Sequence, residues 1–171
     1  LQDGANEAAQ EYLEHAASYD QVWAQVKAFP AGANDCNDLV LATLRLQVRT
    51  GRFEEALPVL KSEMSKADAS RRRMRAALLK LLHAEALEGT GQHRHALRQV
   101  TELLEWASTG GYVRLVADEG KAIAKLLLDA RPFDAQAETS ESKVVAFIDH
   151  ALKAMNYSDD TCLLYTSDAA D

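Results

Sequence analysis

The sequence predicts an all-α protein, a tetratricopeptide-like helix-pair solenoid of about seven to eight helices. Composition is the first reason: alanine and leucine supply most apolar residues, aromatics are 6% of the chain and there are three prolines, which favours helix over sheet. The second reason is a 17-residue unit that occurs twice, as Leu44–Leu60 and Ala84–Val100. The offset between the copies falls within the period of about 34 to 47 residues that is typical of solenoids built from helix pairs.

Each copy of this repeat reads as the end of one helix, a glycine turn and the start of a second helix packed against the first. A glycine just past a helix end can adopt the left-handed conformation that closes the last turn. The alanine five residues later lets two helices approach closely, and the apolar residues behind it share one helix face. The repeat signature consists of Gly51, Ala56, Leu57, Gly91, Ala96 and Leu97.

Apolar residues at helical spacing, bounded by glycine, proline and capping residues, set the expected helix limits. Ser70 is expected to cap a helix with almost no polar face, which should lie in the middle of the stack, packed on more than one side. Pro58 lies beyond the first turn of its helix, so that helix either starts later than Arg52 or bends at the proline. The expected helices run from Asn6 to about Lys27, from Asp35 or Asp38 to Thr50, from Arg52 to about Lys66, from Arg71 to Gly89, from after Gly91 to about Trp106, from about Glu119 to Ala130 and from Ser140 to about Met155.

The net charge of −7 is unevenly distributed along the chain. Residues 1–44 carry a net −6, residues 45–98 a net +6 from twelve basic and six acidic residues, and residues 99–171 a net −7. This basic block between acidic ends indicates either an anionic partner or charge balance within the fold on solvated helix faces.

The sequence also bears on location. No run approaches the roughly 18 apolar residues of a membrane span, and the first residues do not read as a signal peptide. The two cysteines, Cys36 and Cys162, make no disulfide framework, so we expect a reduced, cytoplasmic location. Because the chain does not begin with methionine, we expect it to be a fragment of a longer protein.

Histidine and arginine clusters are candidate ligand sites, but each has a simpler interpretation. His93 and His95 lie two residues apart, so they diverge by about 200° around a helix and cannot chelate one metal with His83 as i, i+4 pairs do. Surface histidines at a helix start are the favoured interpretation. Arg71–Arg73 with Arg75 could hold phosphate, but cations at a helix N-terminus oppose its dipole, which favours a solvated or acid-paired face.

Two further candidates also lack the pattern that catalysis requires. Asp118 and Glu119 are adjacent carboxylates, which do not face one common site on a helix, so we interpret them as capping and loop residues. Cys36 has no convincing histidine partner in the sequence, and there is no glycine-rich phosphate loop. We therefore expect no catalytic, cofactor-binding or metal-binding residues in these 171 residues.

A short phrase after the second repeat copy carries a family resemblance. The order of the segments is TGRFEEAL, a basic helix, TGQHRHAL and then GYVRLVADEG. That order resembles the helical-repeat region of MalT-like, LuxR-type transcriptional regulators, often called ATP-dependent regulators. In that family a phrase close to GYVRLFxDEG follows the last repeats, with phenylalanine where Val116 stands here. The resemblance covers about residues 35–130. The matching phrase residues are Gly111, Tyr112, Val113, Arg114, Leu115, Asp118, Glu119 and Gly120.

The resemblance implies that this piece is the sensor and self-association region of a transcription activator. It implies an upstream ATPase that uses ATP and a downstream helix-turn-helix that binds DNA, both outside these residues. The expected partners are a small-molecule inducer or a protein, together with further copies of the chain. The alternative is a free-standing tetratricopeptide-like adaptor that grips a peptide in its groove and ends in a cap helix with a polar outer face. An enzyme is a distant third interpretation.

On this basis we divide the chain into four regions. Residues 1–34 form an N-terminal helical segment of the array, and residues 35–131 form the helix pairs. Residues 132–161 are the C-terminal helix and a linker toward the DNA-binding domain. The last ten residues, CLLYTSDAAD at 162–171, resemble the translation of a transposon-end adapter used in sequencing libraries, so we expect a disordered tail there.

Overall fold

The prediction of an all-α fold is confirmed. The computed structural model describes residues 6–16, 39–131 and 140–157, and all regular structure in these ranges is helical. Several expectations lie outside the described residues: the helix beyond Ala16, the caps at Asp35 and Asp38, Cys36 and the tail at 162–171. The helices are α1 (Asn6–Ala16), α2 (Leu39–Arg49), α3 (Phe53–Ala69), α4 (Arg73–Gly89), α5 (His93–Gly110), α6 (Val113–Ala117), α7 (Lys121–Asp129) and α8 (Ser140–Ala154).

The chain makes the same turn at equal intervals between α2 and α6. At each turn one residue is left-handed, and the next N–H donates to the carbonyl five residues earlier, which satisfies carbonyls at the helix end. The interval between successive turns is half the offset between the two repeat copies that the sequence shows. The left-handed residues are Gly51 (φ 77°), Arg71 (φ 56°), Gly91 (φ 76°) and Gly111 (φ 66°). The closing bonds are Arg52 to Gln47 (2.8 Å), Arg72 to Ala67 (2.9 Å), Gln92 to Leu87 (2.8 Å) and Tyr112 to Ala107 (3.0 Å).

The expected cap at Ser70 is wrong. Ser70 is the C-cap of α3, and α4 begins later, at Arg73, after an N-cap residue, Arg72, that makes no side-chain capping bond. The reason is the left-handed conformation of Arg71, which ends one helix and keeps the next from starting there.

Pro58 lies inside α3, which begins at Phe53. A helix that starts only at the proline is therefore excluded, and the helix continues through it. The missing N–H of Pro58 costs one backbone bond near the helix start, where Ala56 is fully buried and holds the helix against its neighbours.

Helix α4 lies at the centre of the protein, as its apolar sequence predicted. It contacts α2, α3, α5, α6 and α7, and three of its leucines, Leu79, Leu81 and Leu82, are at most 1% exposed. One side of α4 packs into a core cluster with α2 and α3, and another side packs into a second cluster with α5, α6, α7 and α8. At the C-terminal end of α4 the Phe53 ring packs directly against Gly89. A Cβ added at Gly89 would lie 2.3 Å from that ring, so the position has no room for a side chain.

The segment after α5 was expected to be short and irregular and then helical from about Glu119. It forms the short helix α6, a turn at residues 118–120, and then α7. The helix expected from about Glu119 therefore begins at Lys121. Helix α8 packs against α5, α6 and α7. Within residues 6–16, 39–131 and 140–157, no helix has the length and apolar character needed to cross a membrane.

Candidate functional site

A polar cleft of about 700 Å³ lies where the end of α2, the C-terminal part of α4 and the α6–α7 turn meet. Val48, Phe53 and Met155 supply apolar wall, whereas charged side chains from α2, α4, α6, the α6–α7 turn and α7 supply the polar wall. This combination, a concave surface with a few converging polar groups, is typical of ligand sites. The charged lining residues are Arg49, Glu85, Arg114, Asp118, Glu119 and Lys121.

Two arginines of α2 hold the buried carboxylate of Glu119. Arg45 makes a two-point contact with it, at 2.7 Å from Nη2 to Oε1 and 3.4 Å from Nε to Oε2. Arg49 donates to the backbone carbonyl of Glu119 and lies 3.7 Å from its Oε2. The Glu119 side chain is only 2% exposed, so these contacts fix the α6–α7 turn against α2, although the two elements are distant in the chain.

Arg49 also joins Glu85 of α4 to this cluster. Its Nη1 donates to Glu85 Oε1 at 2.7 Å, so one guanidinium connects α2, α4 and the α6–α7 turn. We call Arg45, Arg49, Glu85 and Glu119 the charge cluster. Two positive and two negative side chains nearly balance, which is the condition under which charged groups are tolerated in a protein interior.

Glu85, within the charge cluster, titrates near neutral pH. Burial raises its pKa to about 7, whereas Arg49 lowers the pKa and the nearby Glu119 carboxylate raises it. Protonation of Glu85 would leave the charge cluster with a net positive charge. A cleft whose charge changes near neutrality can bind polar ligands in a pH-dependent way.

The rim of the cleft carries further charges that are open to solvent. Arg114 pairs with Asp118 at 2.8 Å across one helical turn, and both side chains are more than half exposed. Lys121 is exposed at the start of α7. These groups can exchange water for a ligand at little cost, whereas the charge cluster beneath them is held in place.

The phrase residues divide between turn formation, packing and the cleft. Gly111 and Gly120 are left-handed, at φ 66° and 77°, and flank the short helix. Tyr112 is 38% exposed and stacks on Trp106 with ring centroids 4.7 Å apart. Val113 and Leu115 are half-buried against the core. Glu119, which we interpreted as a capping or loop residue, is in a turn but serves as the buried anchor of the cleft.

The repeat-signature residues form the packing of the hairpins and do not line the polar part of the cleft. Ala56 and Ala96 are fully buried, and Leu57 and Leu97 are half-buried. Gly51 borders the cleft as part of its turn.

The histidines lie apart from the charge cluster and pair with other groups. His93 Nδ1 lies 2.7 Å from Glu88 Oε2, and its Nε2 lies 3.9 Å from Asp129, so this ring links α4, α5 and α7. His83 Nδ1 lies 2.9 Å from Gln99 Oε1, and burial lowers the pKa of His83. In the part of the chain that the structure describes, no three His, Cys, Asp or Glu side chains are placed to hold a metal ion.

The arginine run at the start of α4 splits into exposed and buried members. Arg71 and Arg73 are exposed, but Arg75 is 2% exposed and pairs with the buried Glu63 at 3.4 Å. The acid-paired interpretation therefore applies to Arg75.

Sequence reasoning missed Arg45, Arg49 and Glu85. One signal was present: Arg45 and Glu85 occupy equivalent positions of the two repeat copies and carry opposite charges. Equivalent positions on neighbouring repeats lie near one another, so opposite charges there indicate a charged contact between α2 and α4. The pair that forms across these helices is Arg49 with Glu85, whereas Arg45 pairs with Glu119.

Comparison of the chain with protein-family models, with curated proteins and with solved structures gives no match. The fold and the site therefore define a class only: an all-helical protein with a central buried helix and a polar cleft held by a charge cluster.

Proposed function

We propose that this chain is the sensor and self-association region of a MalT-like, LuxR-type transcriptional regulator that acts in the cytoplasm. It is a helical recognition scaffold of the tetratricopeptide-like kind, and the ATP-using and DNA-binding steps belong to other parts of the full-length protein. One observation carries the proposal: the phrase on which the resemblance depends supplies a wall of the cleft and its buried anchor, Glu119.

The cleft suits an inducer because it joins three elements through one group. Arg49 contacts α4 through Glu85 and the α6–α7 turn through Glu119. A polar ligand that replaces either contact changes how α2 is held against its neighbours. Such a ligand would favour one arrangement of the helices over another, and this population shift is passed to the attached domains.

A blocking substitution tests the cleft. Ala122 is exposed on α7 and lines the cleft, so Ala122→Trp should fill it without disturbing the core. Ala146→Trp, at an exposed position of α8 that does not line the cleft, is the matched control. The probe is a panel of sugars, sugar phosphates, amino acids and nucleotides, with melting temperature and sedimentation as the readouts.

A compound that raises the melting temperature of the chain and of Ala146→Trp, but not of Ala122→Trp, supports an inducer in the cleft. If none of these compounds acts at millimolar concentration, or if every hit stabilises Ala122→Trp equally, the sensor role is contradicted. Reading the source gene downstream tests the regulator assignment separately, because a helix-turn-helix should follow within a few dozen residues.

One observation favours the alternative, a free-standing adaptor that binds a protein or peptide. Helix α8 buries Phe147, Ile148 and Ala151 against the other helices, and its outer face exposes charged side chains. That is the polar outer face that the adaptor interpretation predicts for a cap helix. The same gene reading separates the two, since an adaptor needs no DNA-binding domain.

A further inference from the structure

A groove runs over α4 between α3 and α5. It consists of two adjoining hollows, of about 240 and 480 Å³, which share Lys80 and Glu102. No residue that lines this groove lines the cleft. Glu85 is five residues from Lys80 on α4, which corresponds to about 140° around the helix axis. The groove and the cleft therefore lie on different sides of α4, and the groove is a second surface beyond the proposed inducer site.

The groove is long enough for a short peptide segment. On α4 its lining runs from Arg73 to Leu87, which is about 21 Å along the axis at 1.5 Å per residue. An extended chain of about six residues spans that length. Gln99 fixes the groove wall to its floor, because its side chain bonds the Lys80 carbonyl at 2.6 Å and the His83 ring at 2.9 Å.

The charge of the groove is positive on a chain whose net charge is −7. Arg73, Lys80 and Arg98 line it, and none of the three forms an ion pair within the described residues. The groove also holds two carboxylates, Asp68 and Glu102, so cations exceed anions by one. Unpaired cations in a concave surface attract an acidic partner and speed its association.

The smaller hollow of the groove has an apolar patch beside its charged residues. Ala76, Ala77, Leu103 and the half-buried Trp106 line it, and the Trp106 ring is held by its stacking on Tyr112 at 4.7 Å. A held tryptophan beside small residues can receive one apolar side chain of a partner, and such aromatic anchors often carry much of the binding energy at interfaces.

We propose that this groove docks an acidic segment of a partner protein, with carboxylates over Lys80 and Arg98 and one apolar side chain against Trp106. A nucleic acid fits less well, because a continuous phosphate backbone must also pass Asp68 and Glu102 and has no apolar group to place against Trp106, whereas a peptide can confine its carboxylates to Lys80 and Arg98. The proposal does not depend on the cleft having a ligand.

The test uses the full chain and a fluorescein-labelled twelve-residue peptide of glutamate, serine and glycine with one central tryptophan, followed by fluorescence anisotropy at low salt. The variant is Lys80→Glu with Arg98→Glu. The matched control is Lys143→Glu with Lys153→Glu, the same charge change at exposed positions of α8 outside the groove. We expect the groove variant to bind the peptide at least about tenfold more weakly, and the control to differ from the unmodified chain by less than about threefold.

A second variant, Asp68→Asn, removes a repelling carboxylate and should tighten peptide binding about two- to threefold. Equal losses in the groove variant and the control would mean that net charge alone acts, which contradicts the proposal. Absence of peptide binding at millimolar concentration, or a duplex DNA of equal charge that binds more tightly than the peptide, also overturns it. Circular dichroism of each variant confirms that a loss of binding is not a loss of fold.

Discussion

The two repeat hairpins, α2–α3 and α4–α5, make the same turn but fill their interiors differently. In the second hairpin Leu103 is a buried apolar residue of α5. The equivalent position of α3 is occupied by Glu63, which is 4% exposed and pairs with Arg75 at 3.4 Å and with Lys66 at 2.6 Å. The backbone repeat therefore does not require an apolar residue here, because the same site accepts a charge when a partner comes with it.

The charge cluster also contains buried charges that are each accompanied by a partner of opposite charge. Arg45 and Glu85 are equivalent positions of α2 and α4, and Arg49 bridges from one helix to the other. Arg49 pairs with Glu85 and Arg45 with Glu119, so these charges join α2 to α4 and to the α6–α7 turn. An apolar contact in these positions would hold the helices together but would not specify their order.

The largest expected effect comes from making the first hairpin resemble the second. Glu63→Leu removes a buried partner of Arg75 and should lower the free energy of unfolding by about 3 to 5 kcal/mol. Adding Arg75→Leu removes the buried cation as well, so the double variant should recover most of that loss. Urea unfolding of the two single variants and the double variant measures the coupling.

If Glu63→Leu alone is as stable as the unmodified chain, this interpretation is wrong. The position would then tolerate a leucine, as the equivalent position 103 does, even with Arg75 left buried beside it. An exposed glutamate of the same helix provides the control: Glu54→Leu should change stability by less than about 1 kcal/mol.

A smaller effect is expected at the charge cluster, where Glu85 titrates. Its folded pKa of about 7 lies above the ordinary value of 4.5, so the folded chain holds this proton more tightly than the unfolded chain. The stability from this group is fully present below about pH 4.5 and is lost as the pH rises through about 7. The loss amounts to at most about 3 kcal/mol.

Glu85→Gln removes this titration. Relative to the unmodified chain, the variant should therefore gain stability between pH 5 and pH 8, by roughly 2 to 3 kcal/mol. Urea unfolding at both pH values measures the difference, with Glu55→Gln, an exposed carboxylate of α3, as the matched control. If the stability difference between Glu85→Gln and the unmodified chain is the same at both pH values, then Glu85 is not the group whose titration changes the stability.

The same two regions show what the sequence could reveal and what it could not. The turns at Gly51 and Gly91 were predictable because glycine is the residue that the left-handed conformation favours. A break between α3 and α4 was predicted, but its left-handed residue was missed because Arg71 stands there instead of glycine, and Ser70, the C-cap of α3, looked like the N-cap of the next helix. The central place of α4 followed from its lack of a polar face.

The charge cluster was beyond periodicity alone. Arg45 and Glu119 are far apart in the chain, and nothing in either local sequence says that one meets the other. Helix patterns predict which face is buried, but a pairing between distant charges depends on how the hairpins stack. The opposite charges at equivalent repeat positions were the only local sign of it.

The smallest effect tests the repeated turn itself. Arg71 is exposed and left-handed at φ 56°, where the equivalent turns have glycine, so Arg71→Gly should remove backbone strain. Glycine also makes the unfolded chain more flexible, so the net gain should be only about 0.5 to 1 kcal/mol. The converse change, Gly91→Ala, should cost about 1 kcal/mol, and the cause can only be the backbone, because an added Cβ there meets nothing within 4 Å. A gain in stability for Arg71→Gly and a loss for Gly91→Ala, in both thermal and urea unfolding, would show that the two positions form the same kind of turn. A loss of stability in Arg71→Gly would instead mean that the Arg71 side chain holds this turn in a way that the glycine turns do not use.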